Sequence, residues 1–94
     1  MSLYRLQFTK NAKKEWDKLD HSIQLQLHKK LKQRLQNPKV PSAKLSGFDN
    51  VYKIKLRNSG YRLAYEVKDV EIIVIVLKIG KRENFYELLR DFLK

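Results

Sequence analysis

The stretch "VYKIKLRNSGYRLAYEV", residues 51–67, carries Lys53, Lys55, Arg57 and Arg62 at alternating positions. Apolar and polar residues alternate on both sides of "NSG", the pattern of a two-stranded hairpin. Tyr52, Ile54 and Leu56 then point one way, and Lys53, Lys55 and Arg57 the other. On the second strand Leu63, Tyr65 and Val67 share one parity, Arg62, Ala64 and Glu66 the other. With the apolar set turned to a core, Lys53, Lys55 and Arg62 share the open face. Fixed cations on a rigid element suit phosphate. They can bind it passively, or stabilise a transition state more negative than the ground state. In the second case one such donor is worth about 10²–10³ in rate.

Cutting a ribonucleotide chain from within needs the ribose 2′-oxygen to attack the adjacent phosphorus, and a base to take its proton. His21 and His28 belong to a helical segment, not to the hairpin. A lysine near its ordinary pKa of about 10.4 is almost fully protonated at neutral pH. Crowding by like charge favours the neutral amine. Lys53, between Lys55 and Arg62, is therefore the candidate base.

The chain has 94 residues, one domain's worth, with an apolar fraction of 43% that suffices for a small core. It has no cysteine, hence no disulfide framework and no thiolate metal site. Two histidines and scattered acids make no metal cluster. "MSLYRLQFTK" is charged by its fifth residue and is no signal peptide. "VEIIVIVLKIG" is far short of a membrane span. The expectation is a soluble, cytoplasmic protein without membrane contact. The formal charge of +11, from 21 basic and 10 acidic residues, calls for an anionic partner, nucleic acid first.

The cations need elements to position them. "LYRLQF" alternates as a first strand, and Thr9 can cap the helix that follows, with Ala12, Trp16 and Leu19 on one face. Asp20 reads as a second N-cap. Ile23, Leu27, Leu31 and Leu35 mark a longer amphipathic helix that stops at Asn37-Pro38. The two helices form a hairpin joined near residues 19–21. "PKVPSAKLSGFDN" is a loop. "VEIIVIVLKIG" reads as a strand buried on both faces, and central. Phe85, Leu88, Leu89 and Phe92 mark a short C-terminal amphipathic helix. The order β-α-α-β-β-β-α predicts an α+β fold, with a helical hairpin packed on one face of a small antiparallel sheet. Residues 1–94 form one such domain.

"YKIKLRNSGYRLAYEV" followed by "GKRENFY", with "AKLSG" before it, resembles the RelE family of bacterial toxins across nearly the whole chain. The resemblance implies a ribosome-dependent endoribonuclease, an mRNA interferase of a toxin–antitoxin system, in the microbial-RNase-like fold. By the same resemblance Lys53 and Lys55 of "YKIK" are catalytic, and Arg62 of "GYR" stabilises the transition state. Arg82 of "GKR" acts near the leaving group, and Tyr86 stacks on the substrate base. Two departures are visible. Ser46 stands where the family often has an arginine, and the segment from "GKRE" to Tyr86 is shorter than in the best-known member.

The resemblance implies no cofactor and no metal. It implies mRNA on the ribosome as substrate, with contacts to ribosomal RNA. Its cognate partner would be a small antitoxin, acidic or amphipathic. A same-fold toxin acting on DNA gyrase and a non-catalytic RNA- or ribosome-binding module are the alternatives. Tyr52, Tyr61 and Tyr65 read as core or sheet-edge residues, and Trp16 as core. Lys29, Lys30, Lys32 and Arg34 read equally as a solvated helix face or as a grip on ribosomal RNA.

Overall fold

The computed structural model describes residues 3–81 and 85–92. The elements are β1 (Arg5–Phe8), α1 (Lys10–Asp17), α2 (His21–Gln36), β2 (Val51–Lys55), β3 (Tyr61–Lys68), β4 (Ile73–Lys81) and α3 (Phe85–Phe92), with a 3₁₀ turn at Pro41–Ala43. This is the α+β order expected from the pattern. Thr9 caps α1, its hydroxyl oxygen accepting from the Ala12 N–H at 3.1 Å. Asp20 occupies the cap position of α2, but its side chain makes no capping hydrogen bond.

The four strands lie in the order β1-β4-β3-β2. β2, β3 and β4 form an antiparallel meander, whereas β1 joins β4 in parallel, so the sheet is mixed. The reason is the crossover. The helical hairpin and its return loop bring β2 in along the far edge with the direction of β1. Two hairpin turns later β4 has that direction again. β4 therefore sits between β1 and β3, which is why its residues are apolar on both faces.

One face of the sheet packs on the helical hairpin. Ile23, Leu27, Leu31 and Leu35 of α2 are buried against Ile54, Leu63, Tyr65, Val67, Val74 and Val76. Tyr52 and Tyr65 stack with ring centroids 5.8 Å apart inside this core. Trp16 packs at its margin, tilted against Phe8. Truncating a side chain as enclosed as Leu27 costs about 2–5 kcal/mol.

The other face was expected to be open, and it is not. Val51 and Ala64, of the same parity as the cations, are buried with Leu45, Leu77, Phe85 and Leu89 in a second cluster beneath α3. A bulge opposite Ala64–Tyr65 leaves Leu77 unpaired in the ladder, and Leu77 joins this cluster. α3 is held there by Phe85 and Leu89. Leu88, expected on the buried stripe, is 52% exposed, because an eight-residue helix touches the sheet along only a narrow line. The side chain of Phe92 lies outside the described residues.

Candidate active site

Strand pairing sets the positions of the hairpin cations. Lys55 stands directly opposite Arg62, and Lys53 directly opposite Ala64. Partners in such a pair have Cβ atoms about 4.5–5.5 Å apart, and diagonal neighbours about 7–8 Å. Lys53, Lys55 and Arg62 thus occupy one strip along the margin that α3 leaves uncovered. Lys55 is exposed, and Lys53 and Arg62 are half-buried. Like charges directly opposite destabilise a sheet. Their retention is unexplained by folding and makes sense against an anion.

Arg62 is the most constrained of the three. Its Nη1 donates to the Tyr86 hydroxyl at 2.8 Å, and its guanidinium carbon lies 5.4 Å from the Tyr86 ring centroid. Its Nε is buried and has no acceptor among the described residues. Across the next strand pair stands Gly80, where a Cβ would be 3.5 Å from the Phe85 ring. That distance is an ordinary van der Waals contact, so Phe85 packs directly on the strand at Gly80. Phe85 in turn meets Tyr86 edge to face, at 5.2 Å between centroids. The seat of α3 and the pose of Arg62 are therefore one packing unit. At the other end of α3, Arg90 lies over the Phe48 ring at 5.8 Å and ties the helix to the loop before β2.

Lys53, Lys55, Arg62 and Tyr86 come together on this margin. Arg82 lies outside the described residues. His21 and His28 are exposed on α2, away from the strip. Arg34 departs from its expected place on a solvated helix face. It is half-buried, and its Nη1 donates to the Lys53 carbonyl at 3.0 Å and to the Tyr65 hydroxyl at 2.9 Å. The Tyr65 hydroxyl donates onward to the Pro38 carbonyl at 2.8 Å. Burial pushes the Tyr65 hydroxyl above its ordinary pKa, and the Arg34 guanidinium opposes the shift. Arg34 thus fixes the backbone beneath Lys53. The available signal was its spacing, seven residues after buried Leu27, which returns it to the same helix face.

A second support lies on β4. β1 pairs with it only as far as Val76, so the outward N–H of Ile79 lacks a strand partner. The Glu15 carboxylate accepts from that N–H at 3.0 Å and from Lys78 Nζ at 2.9 Å. α1 thereby caps the strand that leads into "GKRE".

Comparison with known proteins points one way. The family model described as the ParE toxin of the type II toxin–antitoxin system, parDE, matches residues 6–86. A RelE-like toxin protein of Escherichia coli is 54% identical over 81 residues, covering 86% of this chain and 85% of that protein. The mRNA interferase toxin RelE of Escherichia coli is 49% identical with the same coverage. The intact Escherichia coli RelBE toxin–antitoxin complex contains a chain with a TM-score of 0.83 and 48% identity, covering 85% of this chain and 98% of that one. A free-state arginine double mutant of Escherichia coli RelE gives a TM-score of 0.88 at 42% identity, with both chains fully covered.

Proposed function

Because the chain belongs to the RelE family of type II toxins, we propose that it is an endoribonuclease that cleaves mRNA in the ribosomal A site and so inhibits translation. The observation that carries the reading is the strip itself. Two lysines and an arginine share it, and the arginine is clamped by Tyr86. Lysine ammonium and arginine guanidinium groups pair with phosphate oxygens through charge-assisted hydrogen bonds.

Lys53 takes the proton of the ribose 2′-hydroxyl. The 2′-oxygen attacks phosphorus, and the bond from phosphorus to the 5′-oxygen breaks. Lys55 and Arg62 stabilise the charge that builds on the phosphoryl oxygens. The departing 5′-oxygen takes up a proton from water, with Arg82 stabilising the charge on it. The products are a 2′,3′-cyclic phosphate and a 5′-hydroxyl. Tyr86 stacks on a base beside the cut. The side-chain cations supply the positive charge, so the reaction needs no metal ion. The ribosome supplies orientation of the mRNA, and free RNA is cut slowly.

The partner is a small antitoxin, acidic or amphipathic, that covers the cationic strip or displaces α3. Escherichia coli RelE has been solved both in an intact complex with its antitoxin and with an antitoxin RelB peptide. The second reading is a same-fold toxin acting on DNA gyrase; the matched family model is described as a ParE toxin. The cation set and the RelE relatives at 49% and 54% identity favour RNA. Incubation with programmed ribosomes, with mapping of mRNA 5′ ends, separates the two. Cuts at the A-site codon support the ribonuclease. Intact mRNA with inhibited gyrase supports the other toxin. Ribosome binding without cleavage leaves a non-catalytic module.

A further inference from the structure

Arg34 stands in the last turn of α2, where the helix dipole favours a cation. It is half-buried, and among the described residues no carboxylate pairs with it. Its Nη1 instead serves two neutral acceptors, the Lys53 carbonyl at 3.0 Å and the Tyr65 hydroxyl at 2.9 Å. Its guanidinium carbon lies 5.9 Å from the Tyr65 ring centroid. That ring is fully buried and stacked on Tyr52, and its hydroxyl donates to the Pro38 carbonyl just beyond α2. The guanidinium is thus braced from the core before it reaches the strand.

The Lys53 carbonyl is an edge group. β2 is the outer strand of the sheet. The Val67 N–H donates to the Asn50 carbonyl, and the Leu56 N–H to the Tyr61 carbonyl. Asn50, Tyr52, Ile54 and Leu56 therefore turn their backbone groups toward β3, and Val51, Lys53 and Lys55 turn theirs outward. The Val51 carbonyl accepts from the Leu45 N–H at 2.9 Å. At Lys53 the acceptor is met by Arg34. Water or a neutral donor would satisfy one edge carbonyl. A charged donor binds it about twice as strongly, and the planar guanidinium also fixes its direction.

We propose that Arg34 is a positioning residue for RNA cleavage: by holding the Lys53 carbonyl from the side of α2, it fixes the rotation of that peptide and so the aim of the Lys53 amine. The inference rests on the ribonuclease reading above, and adds to it a residue that touches no substrate. A turn of the peptide is amplified along the flexible lysine stem. Misplacing a reacting group by about 1 Å can cost about 10²-fold in rate.

The test is a double-mutant cycle on the full chain, read as single-turnover cleavage at saturating ribosomes. Ribosome affinity by co-sedimentation and thermal unfolding are measured alongside. Arg34→Met keeps an apolar stem and removes the donors. It should cleave about 10- to 100-fold more slowly and bind ribosomes like wild type. In a Lys53→Ala background the same substitution should change the rate by less than about twofold, because the amine it aims is gone. In an Arg62→Ala background it should cost its full factor. Tyr65→Phe removes the second acceptor and lowers the melting temperature, but it leaves the bond to Lys53, so it should cleave at nearly the wild-type rate. Arg34→Lys, which keeps the charge without the planar fork, carries the cycle if Arg34→Met does not fold. Equal slowing in all three backgrounds, or slowing by Tyr65→Phe as large as by the Arg34 variant, makes Arg34 a packing residue and overturns the proposal. So does weaker ribosome binding with an unchanged saturated rate, which would make Arg34 an RNA contact. A wild-type chain that cuts no mRNA on ribosomes, or Lys53→Ala at wild-type speed, brings down the ribonuclease reading itself.

Discussion

Tyr86→Phe is the most informative single change, because it deletes one atom from the contact that joins α3 to Arg62. The ring remains, and with it the packing on Phe85 and the approach of the guanidinium. Only the acceptor for Arg62 Nη1, now at 2.8 Å, disappears. The variant leaves that Nη1 without the acceptor it now has. A hydrogen bond to a charged group contributes about 1.5–3 kcal/mol. If that energy holds Arg62 in its working pose, and each 1.36 kcal/mol is tenfold, cleavage slows by about 10- to 100-fold. The assay is single-turnover cleavage of A-site mRNA at saturating ribosome, beside Arg62→Ala, which should lose about 10²–10³. Tyr86→Ala should lose more than Tyr86→Phe, since base stacking goes too. Wild-type speed in Tyr86→Phe, with Arg62→Ala crippled, refutes the positioning role of the hydroxyl. Faster cleavage would mean that the contact holds Arg62 back.

Three further outcomes are expected. Lys53→Arg keeps the charge but cannot release a proton at working pH, so it should cleave at least tenfold more slowly and lose the alkaline rise of the pH–rate profile; an unchanged rate and profile would leave Lys53 a purely electrostatic role. Leu89→Asp puts a carboxylate where a fully buried side chain now anchors α3. Hydrogen exchange should accelerate over residues 85–92 while β4 stays protected, and cleavage should fall at least tenfold; a detached α3 with wild-type cleavage would separate the helix from the pose of Arg62. At the opposite end of the molecule, hydrogen bonds from Lys39 and Tyr4 hold the Asp69 carboxyl below its ordinary range. A depressed folded-state pKa stabilises the fold above the unfolded value of about 3.9, and that contribution fades as the pH falls through the folded value. NMR titration should give Asp69 a midpoint below 3.9, and Lys39→Gln should move it upward; an unshifted midpoint would mean the cluster does not persist in solution.

How much of this was legible depended on the range of the signal. The four-residue spacing from Ile23 to Leu35 marked the buried face of α2, because helical period and burial coincide there. The alternation of residues 51–67 placed Lys53, Lys55 and Arg62 on one face, because side chains in a strand change sides at every step. The unbroken apolar run of β4 signalled an interior strand. The parallel pairing of β1 with β4 was not legible, since it follows from the path of the whole chain between them. The covering of the cationic face had a signal that the charges concealed. Val51 and Ala64, small and apolar on that parity, mark the patch where α3 sits. Arg34 reads as one more surface cation until the fold puts the Lys53 carbonyl and the Tyr65 hydroxyl in front of it. The clasp between Arg62 and Tyr86 joins residues 24 positions apart, and the short helix that closes it is oriented by the sheet.

The central claim is that the strip of Lys53, Lys55 and Arg62 cuts RNA held on the ribosome. The most direct test is end mapping of a defined mRNA after single turnover on ribosomes with an open A site, for wild type and Arg62→Ala. Wild type should give one dominant cut within the A-site codon, leaving a 2′,3′-cyclic phosphate upstream and a 5′-hydroxyl downstream. Arg62→Ala should make the same cut about 10²–10³ more slowly while binding ribosomes normally. Cleavage by Arg62→Ala at the wild-type rate, or wild-type products ending in a 3′-hydroxyl and a 5′-phosphate, would contradict the account.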